Sequence, residues 1–290
     1  QTNKKLRPEI EIDADVPIID PKTDEELERK NAYAKIYWQQ RKRRGVTYYS
    51  AQRLMRERNY FAAMMINEGD ADALISGYSR SYPSVVKPML ELIGLAKGAT
   101  RIATTNVMMT KRGPMFLSDT SINIEPTAKD LTKIAQMTSQ VIKMFGMDPV
   151  MAMISYSNFG SSVNERASKV REAVAYLHRR YPEMIVDGEL QTDFALNDEM
   201  LREKFPFSKL VGKKVNALIF PNLDSANITY KLLKELNEAD SIGPIMMGMR
   251  KPVHILQLGA SVDEIVNMTA IAVIDAQHKE KGELEKAVAK

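Results

Sequence analysis

The chain has 290 residues, 44% of them hydrophobic and 27% charged, a balance that suits a water-soluble globular protein with room for two compact units. Its 41 basic residues stand against 37 acidic ones, and a net charge of +4 with both signs mixed fits small anionic ligands and argues against nucleic-acid binding. The absence of cysteine excludes disulfides, thiolate nucleophiles and cysteine-based zinc sites, and it fits a cytoplasmic setting.

Helical signals fill the first seventy residues. Asp24–Arg44 is predicted as one helix, with Thr23 as its cap, Gly45 as its stop, and Leu27, Ala34, Tyr37 and Trp38 on one face. The dense basic run Arg41–Arg44 closes a helix that opens on Asp24–Glu26, so both charge clusters suit the helix dipole. A second helical region is predicted from Ser50 to Asn67, stopping at Gly69. The run "ADALISG", Ala71–Gly77, reads as a short buried strand leading into a helix that ends near Gly94.

Two strand-like runs, "TRIATTNVMMT" and "PMFLSDTSINI", flank Lys111-Arg112-Gly113 and predict a hairpin. A helix follows with Thr127 as cap, Asp130 three residues on, and Gly146 as stop. From "GMDP", Gly146–Pro149, onward the chain alternates strand, polar turn and helix, which predicts a largely parallel α/β sheet with ligands beyond the carboxyl ends of its strands. No apolar run approaches the ~18 residues of a membrane span, and the opening Gln1–Asp13 stretch lacks the apolar centre of a signal peptide.

Three strand-to-helix turns are the candidate sites. "SYSNFGSSVNER", Ser155–Arg166, offers hydroxyls, an amide and backbone N–H groups at a helix start, which suits phosphate or another anion; the same residues also make ordinary caps and turns. "FPNLDSANITYK" places Asp224 to cap a helix, with Asn222 and Asn227 facing the strand ends. "SGYSRSYPSVVKP" brings Ser76, Arg80, Tyr82 and Lys87 near a third strand end. The late loop from Lys251 holds Leu256, Gln257 and Leu258, without a nucleophile or strong base. His254 is the one histidine placed for function, and no orienting carboxylate is visible beside it.

In order along the chain, "ADALISG" with "KPML", "INIEPTA", "AMISYSNFGS", "VDGELQTDFAL", "IFPNLDSANITYKLL", "IGPIMMGMRKPV" and "GASVDEIVN" resemble the phosphate acetyltransferases. "TKRGPMFLSDTSINIEPTA", "SYSNFGSS" and "VHILQLGA" resemble more closely the version fused to the C-terminus of NADP-dependent malic enzymes, the hybrid malic enzymes. The resemblance implies an α/β fold of the isocitrate/isopropylmalate dehydrogenase-like kind, with two α/β subdomains around an acyl-CoA cleft. One is expected from residues 1–147 and 250–290, with further strands upstream of Gln1, and the other from 148–249.

In active members of the family a Ser-Arg pair supports the transferring group and its phosphate, and a nearby aspartate helps deprotonate the CoA thiol. Gln257, Leu258 and Glu264 stand at those positions here, and Lys87 stands where the family has arginine before a proline. The expected function is therefore a regulatory acetyl-CoA-binding domain of a malic enzyme, with no catalytic residue of its own. The alternatives are an active phosphate acetyltransferase and a purely structural oligomerisation domain. The expected binding set is Lys87, Ser157, Asn158, Gly160, Ser161, Asn222, Asp224, Asn227, Lys251 and Gln257. A homodimer or higher homo-oligomer is expected, joined in the same chain to an N-terminal malic enzyme domain that alone would hold NADP and a divalent metal. Neither nucleic acid nor membrane is expected as a partner.

Overall fold

The computed structural model describes residues 16–236 and 240–282, so the opening Gln1–Asp13 stretch lies outside the described residues. The chain divides into two units, Gln1–Met65 and Ile66–Lys290.

In the first unit, a 3-10 turn at Asp24–Glu26 leads into α1, Leu27–Arg41. Thr23 does not cap it through its side chain; its hydroxyl donates instead to the Asp20 carbonyl at 2.9 Å. The buried stripe is Lys30, Tyr33, Ala34 and Tyr37, whereas Leu27 is 49% exposed. That stripe has the i, i+3, i+4, i+7 spacing of one helix face, and Leu27 lies a turn beyond what the unit covers. The predicted second helix is two, α2 at Tyr48–Leu54 and α3 at Arg58–Glu68. Glu57 makes the break, because its carboxylate accepts the N–H groups of Asn59 and Tyr60 at 2.9 and 3.2 Å and so starts a new helix. Ring pairs Tyr33–Phe61 and Tyr37–Tyr60, at 5.3 and 5.8 Å, hold α1 to α3.

The second unit begins with β1, Leu74–Ser76, and α4, Tyr82–Leu92. The hairpin forms as predicted, from β2, Ala103–Thr110, and β3, Gly113–Ser118. Next come α5, Ala128–Met144, β4, Val150–Ile154, α6, Glu165–Arg180, and β5, Ile185–Leu190. Two short helices without a sequence signal follow, α7 at Thr192–Leu196 and α8 at Asp198–Lys204. The unit closes with β6, Ala217–Ile219, α9, Leu223–Glu235, β7, Asp240–Met247, β8, Val253–Ile255, and α10, Val262–Glu280.

Six strands form one sheet in the order β5-β4-β6-β3-β2-β7, and β1 and β8 pair separately in parallel. The expected sheet was largely parallel; this one is mixed, because β2 runs antiparallel to both β3 and β7. A two-residue connection forces the first reversal, since a parallel crossover needs about a dozen residues. The large sheet takes strands from both sides of residue 147, β2 and β3 from before it and β4 to β7 from after it.

Both faces of this sheet are covered. Phe116, Met151, Met153 and Ile219 point to a core with α5 and α6, while Leu117, Ala152, Ile154 and Leu218 point to a second core with α8 and α9. Period-two alternation then makes each central strand a continuous apolar run. Every fully buried Leu, Ile or Phe contributes about 1.5–3 kcal/mol here. Parallel strands β4, β5, β6 and β3 end together, so the turns after β4 and β6 lie side by side at one edge.

Close backbone approach fixes several glycines, Gly77 and Gly188 most tightly. A Cβ on Gly77, at φ +112°, would lie 2.4 Å from the Leu256 carbonyl, and one on Gly188, at φ +142°, 2.5 Å from that of Met153. Gly94, at φ +73°, has open space around it. Gly77→Ala and Gly188→Ala should each cost about 3 kcal/mol or more, against about 1 kcal/mol for Gly94→Ala, in chemical denaturation of the whole chain. Equal costs at the three positions would refute the close-approach account.

Candidate functional site

The turn after β4 is built around an anion that the protein itself supplies. Glu189, at the end of β5, has no exposure to water. Its carboxylate accepts from the Ser157 hydroxyl at 2.8 Å and the Gly160 N–H at 2.9 Å, and Arg171 of α6 donates to both oxygens at 2.9 and 2.7 Å. Burial pushes the Glu189 pKa up, but the bonds from Arg171, Gly160 and Ser157 together outweigh it and leave the carboxyl below its ordinary range. The same contact raises the pKa of Arg171.

The rest of the turn is equally engaged. Asn158 exchanges hydrogen bonds with Gln191, 2.7 Å in each direction, and the Ser161 hydroxyl accepts the Asn158 N–H at 3.0 Å. Ser157, Asn158, Gly160 and Ser161 thus come together around Glu189 and Gln191. The cation that serves them is Arg171 rather than Arg166, which is exposed on the first turn of α6.

At the neighbouring turn Asn222, not Asp224, caps α9, accepting the Ser225 N–H at 2.9 Å. Asp224 falls one residue inside the helix, where an exposed acid suits the dipole but cannot fold back to the cap position. Asn227 donates to the Thr120 carbonyl at 3.0 Å, pinning α9 to the end of β3. Two further residues of α9 reach the late loop. The Tyr230 hydroxyl lies 3.4 Å from the Gln257 amide oxygen, and Lys234 pairs with Glu264 at 2.7 Å.

Glu264 is held twice. Its other oxygen accepts the Ser261 N–H at 2.7 Å, closing a capping box at the start of α10. Burial raises the Glu264 pKa, but Lys234 and Ser261 more than offset this and the carboxyl sits below its ordinary range. That makes it a weak proton acceptor. Beside it, Leu258 is 68% exposed and Gln257 half-buried.

The remaining candidates scatter. Lys87 is exposed on α4. The Tyr82 hydroxyl is buried with no hydrogen-bond partner, and burial, then the charge of Asp119, raises its pKa. Lys251 lies two residues before β8 and Gln257 two residues beyond its end, so the strand separates them. Lys251 is instead close enough to Lys279 to lower that lysine's pKa. His254 does have a carboxylate partner: its Nδ1 accepts the Met246 N–H at 3.3 Å, and Nε2 lies 3.4 Å from Asp275 of α10. The ring is fully buried, so it cannot meet a substrate. Among the described residues, no group of three or more histidines and acids could hold a metal ion.

Sequence reasoning missed Glu189, Arg171, Gln191 and Tyr230. Glu189 was visible only as part of an acidic, glycine-containing strand end, and the other three carry no local signal.

The fold has known counterparts. Residues 1–273 match the phosphate acetyl/butaryl transferase family, and the chain belongs to that family. It is 38% identical over 277 residues to an NADP-dependent malic enzyme of Haemophilus influenzae, across 95% of this chain but only 36% of that protein. The chain therefore spans about a third of the length of the malic enzymes it matches. A phosphate acetyltransferase of Clostridium acetobutylicum is 33% identical, with 94% of this chain and 84% of that protein covered. The EutD phosphotransacetylase from Staphylococcus aureus superposes with a TM-score of 0.80 at 31% identity, covering 92% of this chain and 79% of that one. The α/β fold with its mixed sheet is thus that of phosphotransacetylase structures, and the chain is related to the C-terminal region of malic enzymes. Among the described residues no helix is long and apolar enough to cross a membrane.

Removing Arg171 tests the buried-anion turn. Glu189 would keep two neutral donors, and because Arg171 is itself 39% exposed, water replaces part of what it gave. Arg171→Met should cost about 2 kcal/mol. Because the folded pKa of Glu189 is lowered, its stabilisation is complete above its unfolded pKa of about 4.3 and is lost as pH falls through the folded value. Denaturation measured from pH 7 to 3 should therefore show a shallower acid-side loss in Glu189→Gln than in the parent. An unchanged slope would remove Glu189 from the acid response.

Proposed function

We propose that this chain is a regulatory acyl-CoA-binding domain of a hybrid malic enzyme that does not itself transfer acetyl groups. The observation that carries the reading is the loop Gln257–Glu264. At the position where the family resemblance leads one to expect a cation, an exposed Leu258 side chain offers nothing to developing phosphate charge. Where a base is expected, Glu264 is tied to Lys234 and Ser261 with its pKa lowered. Groups suited to holding a ligand are still present: the Gln257 amide nitrogen has no partner among the described residues, and Lys87 is exposed.

On this reading acetyl-CoA is the regulatory ligand, at the sheet edge where the turns after β4 and β6 lie together and Tyr230 of α9 reaches Gln257. Asn222 and Gln257, which flank α9 at this edge, and the exposed Lys87 are its proposed contacts. Ser157, Asn158, Gly160 and Ser161 shape the wall through Glu189. Regulation requires two states of the assembly with different affinity for acetyl-CoA. Malate decarboxylation to pyruvate and CO2, with NADP and a divalent metal, belongs to a domain outside this chain.

A homo-oligomer is part of the proposal. Ile228, Leu232 and Leu236 make an exposed stripe at i, i+4, i+8 along α9, and Val262, Val266 and Val273 continue an exposed apolar face on α10. Such a face suits a second copy of the chain. A second reading, active phosphate acetyltransfer, is favoured by the family to which the chain belongs.

Calorimetric titration with acetyl-CoA, paired with an acetyl phosphate formation assay on the same sample, separates the readings. Binding in the micromolar range, about −8 kcal/mol, without turnover is the expected outcome. Turnover in the parent, abolished by Glu264→Gln, would establish the acetyltransferase instead. Absence of both binding and turnover in the full-length protein would leave the oligomerisation role.

A further inference from the structure

A cavity of about 100 Å³ lies at the far end of the second unit, among the 96–101 loop, α5, the end of β7 and the last turns of α10. Its distance from the start of α10 is roughly 25 Å along the helix, from Val262 to Lys279. Nothing in the acyl-CoA reading uses it. The space is several times what one water molecule requires.

The lining combines positive charge with an apolar floor. Lys97, Arg101, Lys133, Arg250 and Lys279 face it against one carboxylate, Asp275. Arg101 is neutralised by Asp130 at 2.7 Å, although its Nε is buried without a partner. Among the described residues Arg250 donates only to neutral acceptors, the Ile93 carbonyl at 2.8 Å and Asn67 at 2.6 Å. Lys133 makes no ion pair or hydrogen bond among the described residues. Lys279 shares Asp275 with His254, whose buried Nε2 has no full hydrogen bond. Burial lowers the pKa of Lys279, with Asp275 opposing and the charge of Lys251 adding to the effect. The floor is made by Met137, Met144, Met246, Met247 and Met249.

We propose that this cavity is a binding site for a small organic monocarboxylate with a short aliphatic chain, its carboxylate facing Lys133 and Lys279 and its chain lying on the methionines. Lys133 and Arg250 have no ion-pair partner among the described residues, and cations so placed at a half-enclosed wall favour an anion. Asp275 in the same wall penalises a second negative charge, which selects a monoanion over a phosphate dianion. Methionine side chains adapt to an aliphatic chain of varied shape, and a cavity of this size holds only a few carbons.

The experiment uses the whole chain labelled at its methionine methyl carbons, titrated with butyrate and followed by NMR. The expected result is saturable movement of the five cavity methionines with a dissociation constant in the millimolar range, as suits so small a ligand. Lys133→Ala should weaken binding about tenfold while leaving the thermal unfolding midpoint unchanged. Lys133→Gln serves if the alanine variant is unstable. Absence of saturation at about 50 mM butyrate would overturn the proposal. So would tighter binding of inorganic phosphate than of butyrate, or movement of the same methyls that ignores the loss of Lys133.

Discussion

A carboxylate with no access to water organises the site edge of the sheet. Leaving Glu189 charged in that position would cost several kcal/mol if its oxygens were unpaired, and the surrounding chain is arranged to pair them. Arg171 comes from α6, Ser157 and Gly160 from the turn before it, and the carboxylate from β5. Three consecutive pieces of the strand–helix–strand unit therefore converge on one charge. The turn has the chemistry of an anion cradle, hydroxyl, backbone N–H and guanidinium. Its anion is internal, and the Ser157 hydroxyl, the Gly160 N–H and the Arg171 guanidinium are all engaged by Glu189.

How much was legible in the sequence follows from how local each interaction is. Thr127 with Asp130 and Ser261 with Glu264 are capping boxes written in four residues, and the first was read directly. The β2–β3 hairpin was equally plain. The pair Glu189 and Arg171 is 18 residues apart on different elements, and no spacing rule joins them. Glu57 interrupted a predicted helix because a side-chain cap competes with continued backbone bonding, and apolar periodicity does not register that competition. The loop from Lys251 to Gln257 read as one site because it is contiguous. In the fold, β8 occupies its middle and carries the two ends to opposite edges.

In the late loop one carboxylate serves the fold. Glu264 has a carboxylate where the resemblance implies an aspartate base. A base must take a proton, and the hydrogen bonds from Ser261 and Lys234 stabilise the form that has none. The capping box and the ion pair gain stability for α10 from the same charge. Leu258 has no comparable second task, since its side chain is mostly in solvent. Where the resemblance implies a cation it offers no charge, and it gains little packing. Of the two departures this is the more informative about chemistry, and Glu264 is the more informative about the fold.

Helix α10 connects the two ends of the unit. Asp263 and Glu264 occupy its first turn, where the dipole favours acids, and His278 and Lys279 its last, where it favours bases. Its middle is fixed, because Met268, Ile271 and Ala272 are buried, the first two of them in the core that also takes α5 and the sheet. A helix packed in this way transmits little by bending. If events at Glu264 and at Lys279 are coupled, the coupling must take the form of a displacement of α10 between two packed positions, with the Lys234–Glu264 pair and the Asp275–His254 contact rearranging together. The constraint is useful because it names the contacts that would have to change, and they lie at the two ends of one element.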